Sequence, residues 1–289
     1  MNASALALPV AVLAAVLPVA FDGGLGPEPE PGYRILVSND DGIDSPALAA
    51  LVAALSEQAE VVVCAPDGNR SGSSQSVAAM GAPMRVREAE VEGAVRAVAV
   101  GGTPADAVCF GLLELGRGKP FDLVVSGINQ GANVGDLAHY SGTVGAAMEA
   151  AFRGVPAVAV SQGGRDRDWS FAASFTARFV AELRRHEPRP GTVYNLNVPS
   201  ARAGEEPKPA VRAAGGSFLQ TTGWEVVESG DGGREARARI AFRRQAPPGT
   251  DTEAFLAGRV TIAPLRFDWT DREALADLAG WDLGRAPGR

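Results

Sequence analysis

Ile35-Leu36-Val37-Ser38-Asn39-Asp40-Asp41-Gly42 is an apolar run that breaks abruptly into two carboxylates and a glycine. Three aliphatic residues in a row read as a buried parallel strand, and the Asp-Asp-Gly that follows reads as a sharp turn at its carboxyl end. Open α/β sheets bind their ligands at that end. Two like charges side by side repel, and keeping both ionised at a low-dielectric sheet edge is expensive unless something positive sits between them. A hard divalent cation between Asp40 and Asp41 is one reading. A solvated Asx turn, for which Asn, Asp, Asp and Gly are ordinary residues, is the other.

The chain on either side repeats strand and helix in alternation. Strands are expected at 34–38, 60–64, 94–100, 122–126, 157–161 and 192–198. Helices are expected at 46–57, 104–115, 144–153 and 170–186. Pro46 suits a first helical turn with Ser45 as its cap. In the helix at 170–186, Phe171, Phe175, Phe179 and Leu183 recur every fourth residue, an apolar stripe. Such alternation predicts an α/β fold with a doubly wound, mostly parallel, Rossmann-like sheet. Beyond Pro199 the pattern changes to an alternating β-hairpin (223–228 and 236–242 around a Gly-rich turn), a strand at 259–263 and a short helix at 271–278. A lone hairpin needs another surface for stability. The expected organisation is therefore a catalytic core over 33–200 and a C-terminal hairpin arm over 201–289 that serves oligomerisation.

Residues 1–32 stand apart. An apolar run over 4–20 containing Pro9 and Pro18 leads into a Pro-Glu tether, which resembles a signal-peptide core followed by a linker, although no Lys or Arg precedes it. The run is at the short limit for a bilayer of ~30 Å, so a membrane anchor is not expected. A misassigned start is the plainer reading, and the segment is left out of the fold.

The 289 residues are enough for a full core. Residues 1–160 carry 17 acidic and 8 basic side chains and the remainder 17 and 19, and the only lysines are Lys119 and Lys208. Polymeric nucleic acid, which is held by clustered cations, is an unsuited partner. Cys64 and Cys109 lie in apolar segments at unrelated spacing, as buried free thiols do. With His139 and His186 the only histidines, a His-rich zinc centre is excluded, so any metal has oxygen ligands.

Two further polar loops follow predicted strands: Ala65-Pro-Asp-Gly-Asn-Arg-Ser-Gly-Ser-Ser-Gln-Ser76 and Gly127-Ile-Asn-Gln-Gly-Ala-Asn-Val-Gly-Asp136. In a parallel sheet all carboxyl ends share one side, so these loops and the Asp pair can converge on one crevice. Ser141-Gly142-Thr143 then opens a helix, where free backbone N–H groups, two hydroxyls and the positive dipole end favour an anion such as phosphate. Ordinary N-capping by Ser141 or Thr143 explains the same residues without a ligand. Thr103-Pro-Ala-Asp106 reads as a cap with a supporting role.

Together the segments 35–43, 65–72, 102–106, 126–133 and 140–144, with the late strand at 258–265, closely resemble the SurE survival-protein family of 5′/3′-nucleotidases. The resemblance spans about residues 33–270. It implies a phosphomonoesterase that hydrolyses nucleoside 5′- and 3′-monophosphates, and short polyphosphate, with one Mg²⁺ or Mn²⁺ per subunit. It also implies a Rossmann-like core whose C-terminal arm is swapped into a homodimer or homotetramer, and a cytoplasmic location, replaced by an exported one if residues 1–20 act as a signal peptide. Carried over by position, Asp40, Asp41, Ser71 and Asn129 are the metal ligands, the two aspartates form the catalytic pair, and Asn39, Asn133, Ser141, Gly142 and Thr143 surround the phosphate. Gln75 and Ala78 depart from the family's more common residues, and neither is among these ligands.

Three rivals are weighed against this. An aspartyl-phosphate phosphatase wants its first two aspartates separated by one residue, and here they are adjacent. A metal-dependent deacetylase needs histidine ligands, and neither histidine lies near Asp40 in sequence. A nucleotide sensor would bind without hydrolysis. His139, two residues before Ser141, is placed to touch a leaving group or to sit on the surface, and Arg70 to bind an anion or to be solvated.

Overall fold

The computed structural model describes residues 32–164, 167–200, 206–229 and 233–281. The expected leader thus lies, but for its last position, outside the described residues. The opening strand, β1 (Arg34–Ser38), is buried along its whole length and pairs in parallel with β2 (Glu60–Pro66) and β5 (Leu123–Gln130). With β3 (Val86–Ala89), β4 (Arg96–Val100), β6 (Ala157–Gln162), β7 (Thr192–Val198), β8 (Pro209–Val211) and β11 (Val260–Arg266) they form one nine-stranded sheet of order β3-β4-β2-β1-β5-β6-β7-β11-β8. The six strands from β4 to β7 are parallel, while β3 and β11 run antiparallel to their neighbours β4 and β7.

Alternate residues of β1 feed two cores. Ile35 and Val37 pack with Leu48, Leu51 and Leu55 of α1 (Pro46–Ser56) and with Phe175 and Val180 of α4 (Ser170–Arg185). Leu36 faces the other side, against Val108 of α2 (Pro104–Phe110) and Val144 and Ala147 of α3 (Gly142–Phe152). Helices on both faces explain why β1 reads as a continuous apolar run. Because the chain winds outward from β1 through β2 in one direction and through β5 in the other, the strand order reverses between β1 and β5. That switch point is where the loops splay apart and leave a crevice.

Several details differ from the sequence-based expectation. The stretch after β5's expected end is still strand through Gln130, with a register shift between Ser126 and Asn129. Gly127 makes this possible: its φ is +138°, and a Cβ there would lie 2.4 Å from the Val160 carbonyl oxygen. The apolar stripe of α4 is only partly buried, since Phe175 and Leu183 enter the core while Phe171 and Phe179 pack against its margin. Ser45 occupies the N-cap of α1 without a side-chain hydrogen bond. Most importantly, β8 and β11, from the stretch expected to be an arm, extend the main sheet. Only the hairpin β9 (Leu219–Glu228) and β10 (Arg234–Phe242) forms a separate two-stranded ribbon. Two short helices, α5 (Asp251–Leu256) and α6 (Arg272–Ala279), complete the C-terminal third. Among the described residues no helix is long and apolar enough to cross a membrane.

Candidate active site

Asn39 shapes the turn that presents the aspartates. Its Nδ2 donates to the Gly42 carbonyl at 2.9 Å and its Oδ1 accepts from the Gly42 N–H at 3.1 Å. Gly42 has φ +106° and lies against Gly68, 3.0 Å from where its Cβ would be, so the turn nests on the following loop. Asn39 is fully buried, and both polar atoms of its amide are bonded within the turn.

Asp40 is 2 % exposed. Its Oδ1 accepts from the Thr143 hydroxyl at 2.6 Å, and its backbone carbonyl accepts from the Arg70 N–H at 2.7 Å. Burial raises the pKa of its carboxyl, opposed by the Thr143 hydroxyl and by backbone N–H groups that include those of Thr143 and Gly142. The N-terminal turn of α3 therefore faces this carboxylate, and Gly142 is there because a Cβ would lie 2.8 Å from the Asp40 Cβ. Asp41 is more open, and its pKa is pushed up to about 6 by burial and by the neighbouring charge of Asp40, against a backbone hydrogen bond from Gln130. Its Oδ1 accepts from Asn69 Nδ2 at 3.2 Å, and Asn69 Oδ1 accepts from the Ser71 N–H at 3.0 Å.

Asp40, Ser71, Asn129, Asn133 and Ser141 line one cavity of about 460 Å³. Its other walls come from late in the chain and include Phe218, Leu219 and Phe255. Asn129 donates from Nδ2 to the Gly131 carbonyl at 2.8 Å, which leaves Oδ1 as the amide atom open to a cation. Arg70, the residue before Ser71, is paired with Asp67 at 2.9 Å. Two carboxylates, an amide oxygen and a hydroxyl form a hard-oxygen donor set, and burial without a fixed counter-charge is the condition a Mg²⁺- or Mn²⁺-sized ion relieves. The residues fit such an ion.

A sequence profile of the family described as Survival protein SurE matches residues 35–217. The chain belongs to the SurE family. It is 39% identical over 254 residues to the 5′-nucleotidase SurE of Rhodopirellula baltica, covering 86% of this chain and 99% of the relative. It is 38% identical over 269 residues to the 5′/3′-nucleotidase SurE of Edwardsiella ictaluri, covering 87% and 96%. The crystal structure of the SurE protein from Aquifex aeolicus superimposes with a TM-score of 0.73 at 33% identity, covering 85% of this chain and 98% of that one.

Within this SurE site the expected residues take unequal parts. Asn133 lines the cavity, but its N–H donates to Asn197 Oδ1 at 2.7 Å and its carbonyl accepts from Asn195 Nδ2 at 2.8 Å. Its side chain donates to Ser161 Oγ at 2.8 Å. Ser141 caps α3 by accepting from the Val144 N–H at 3.2 Å, and the Thr143 hydroxyl is engaged by Asp40. The helix end thus serves the carboxylate directly. His139 lies outside this cavity, in a neighbouring one of about 360 Å³, with its ring edge-on to Trp269 at 6.0 Å.

Two supports escaped the sequence reading, Asp251 and the pair Asn195 and Asn197, while a third, Asp106, has the capping role expected of it. Asp251, fully buried, accepts from the N–H groups of Gly135, Gly215 and Thr252 at 2.8 to 3.0 Å, tying the Asn133 loop to the segment before β9. Its place in Gly249-Thr250-Asp251, a cap-like run, was the available signal. Asn195 and Asn197 alternate with apolar residues in β7, and two amides on one face of a buried strand could have marked them. Asp106 closes a capping box with Thr103 and also accepts from the Ala78 and Ala79 N–H groups, so it pins the end of the Ser71 loop.

Proposed function

We propose that the chain is a divalent-cation-dependent 5′-nucleotidase that cleaves nucleoside monophosphates to nucleoside and phosphate. The observation that carries this reading is the meeting of Asp40, Ser71, Asn129 and Ser141 in one cavity at the sheet's switch point, with Asp41, the next residue, bonded to Asn69 of the Ser71 loop. The names of the Rhodopirellula and Edwardsiella relatives support the substrate class, and the second of them extends it to 3′-monophosphates.

Asp40, Asp41, Ser71 and Asn129 would hold one Mg²⁺ or Mn²⁺ per subunit. When bound, such an ion neutralises charge building on the phosphoryl oxygens and acidifies an attacking water. The Thr143 hydroxyl and the N–H groups of Gly142 and Thr143 favour the ionised form of Asp40, the form a cation needs. Asp41, the more accessible of the pair, would accept the water's proton. An ester phosphate seated beside Ser141 lies within reach of the helix dipole, which acts over the first turn. Phosphate release from AMP with added Mn²⁺, compared with EDTA, tests the reading: activity in both conditions removes the metal, and activity in neither removes the nucleotidase. A panel with 3′-AMP and tripolyphosphate sets the breadth of substrates.

The exposed Trp224, Val226 and Phe242 on the β9–β10 ribbon support a homodimer or homotetramer. The free thiols of Cys64 and Cys109 suit a reducing compartment, and the cytoplasm is the location we propose.

A further inference from the structure

Two chemically different groups of residues line the cavity that holds Asp40. One is rich in oxygen and amide groups; the other is apolar, with Phe218, Leu219 and Phe255 beside the backbone of Gly163 and Gly164. Among the described residues that line it, Asp40 is the one that carries a charge. The two phenylalanines come from separate segments, the turn before β9 and the body of α5, yet their rings stack with centroids 6.1 Å apart and planes inclined by 28°. Both are held in place. The Phe218 carbonyl accepts from the Arg243 N–H at 2.7 Å, and Phe255 rests on Gly163, where a Cβ would lie 2.5 Å from its Cζ. Each ring remains half-buried, so part of its surface is open.

We propose that Phe218 and Phe255 form a stacking platform for the base of the phosphate ester. The proposal rests on the nucleotidase reading above and specifies how the substrate is chosen. A cavity of about 460 Å³ has room for a nucleoside monophosphate, since small-ligand sites run from about 300 Å³ upward. With its phosphate against the Asp40 side, the flat base meets the apolar side. Phenylalanine offers a π-face and no hydrogen-bonding edge, so this platform grips purines and pyrimidines alike and rejects esters that lack a base.

The test compares AMP, CMP and ribose 5-phosphate with the full-length wild type and the F218L and F255L variants in Mn²⁺. The wild type is expected to show a far lower KM for both nucleotides than for ribose 5-phosphate. Each leucine variant is expected to raise the KM for AMP about tenfold or more, the scale of one lost stacking contact, with kcat held and kcat/KM for ribose 5-phosphate unchanged. F255Y, which keeps a ring, is expected to retain the wild-type KM. Equal losses on AMP and ribose 5-phosphate would mean that the rings only brace α5, and would overturn the proposal; so would unchanged AMP kinetics in both leucine variants. A wild type that cleaves ribose 5-phosphate as well as AMP sinks the platform but leaves the phosphatase standing. A wild type that cleaves none of the three removes both.

Discussion

Thr143 Oγ1 donates to Asp40 Oδ1 at 2.6 Å and joins the start of α3 to a carboxylate 103 positions earlier in the chain. This bond favours the ionised carboxylate and so opposes the burial that raises the pKa of Asp40. Asp40→Asn is expected to leave the protein folded and to lower phosphate release from AMP on the order of a hundredfold or more. Thr143→Val keeps the shape but strands the carboxylate oxygen, which should destabilise the fold by about 1–3 kcal/mol. Urea denaturation beside the AMP assay checks both, and near-normal turnover in the Asp40 variant would dismiss its assignment.

Asp251 gathers a backbone donor from each of two loops and a third from Thr252 beside it in α5, and Asp251→Ala leaves all three without their acceptor. A loss of about 3 kcal/mol is expected, together with faster amide exchange at Gly135 and Gly215. Exchange that speeds up uniformly along the chain, with no excess at those two sites, would show that Asp251 supports the fold generally rather than the Asn133 loop.

Glu60 accepts from Arg34 Nε at 2.6 Å and also pairs with Lys119, clamping the first residues of β1 and β2. The hydrogen bond from Lys119, with Arg34 adding to it, holds its carboxyl below the ordinary 4.5. Since the folded-state pKa is depressed, the clamp's contribution is complete above the unfolded value and is lost as pH falls through the folded one. Glu60→Gln should therefore cost about 1 kcal/mol at pH 7, a value limited by solvent screening, and the gap from wild type should narrow as pH drops below about 4.5. A gap that stays constant from pH 7 to pH 3.5 would contradict this linkage.

The β9–β10 ribbon exposes Trp224 at 62% and Phe242 at 73% of their surface. Under the proposed homo-oligomer, replacing both by Glu is expected to shift the protein in sedimentation velocity to a single chain. An unchanged sedimentation coefficient would place the contact elsewhere on the molecule.

The parallel core was legible because its signals are local. Aliphatic runs such as 35–37 and 61–63 can satisfy a two-sided burial only in a helix-covered sheet, and Pro46, Pro104 and Ser141 punctuate the crossovers. The Asp pair and the two polar loops were legible for the same reason, since each follows a strand. The edges were not. β3 and β8 are short strands that carry no apolar alternation, and nothing nearby in sequence says that β11 returns antiparallel to β7. Asn39 shows the limit at the site itself: its residue type suited a turn and the family resemblance set it beside the phosphate, and that its amide closes on Gly42 is visible only in the three-dimensional turn. Phe218 and Phe255 were invisible as a pair because two lone aromatics in unremarkable segments acquire meaning only when the chain brings them together.

The bond from Asp251 to Gly135 reaches across 116 positions, so the pocket is not finished until the last third of the polypeptide has been threaded into place. A ribosome that has synthesised only the first 200 residues has made the strands that carry both aspartates' loops, but neither the anchor for the Asn133 segment nor the ring of Phe255. Competence for hydrolysis should then emerge late in biosynthesis, well after the core has begun to collapse. Stalled nascent chains of increasing length, assayed for phosphate release, would show activity at 200 residues if this ordering were mistaken.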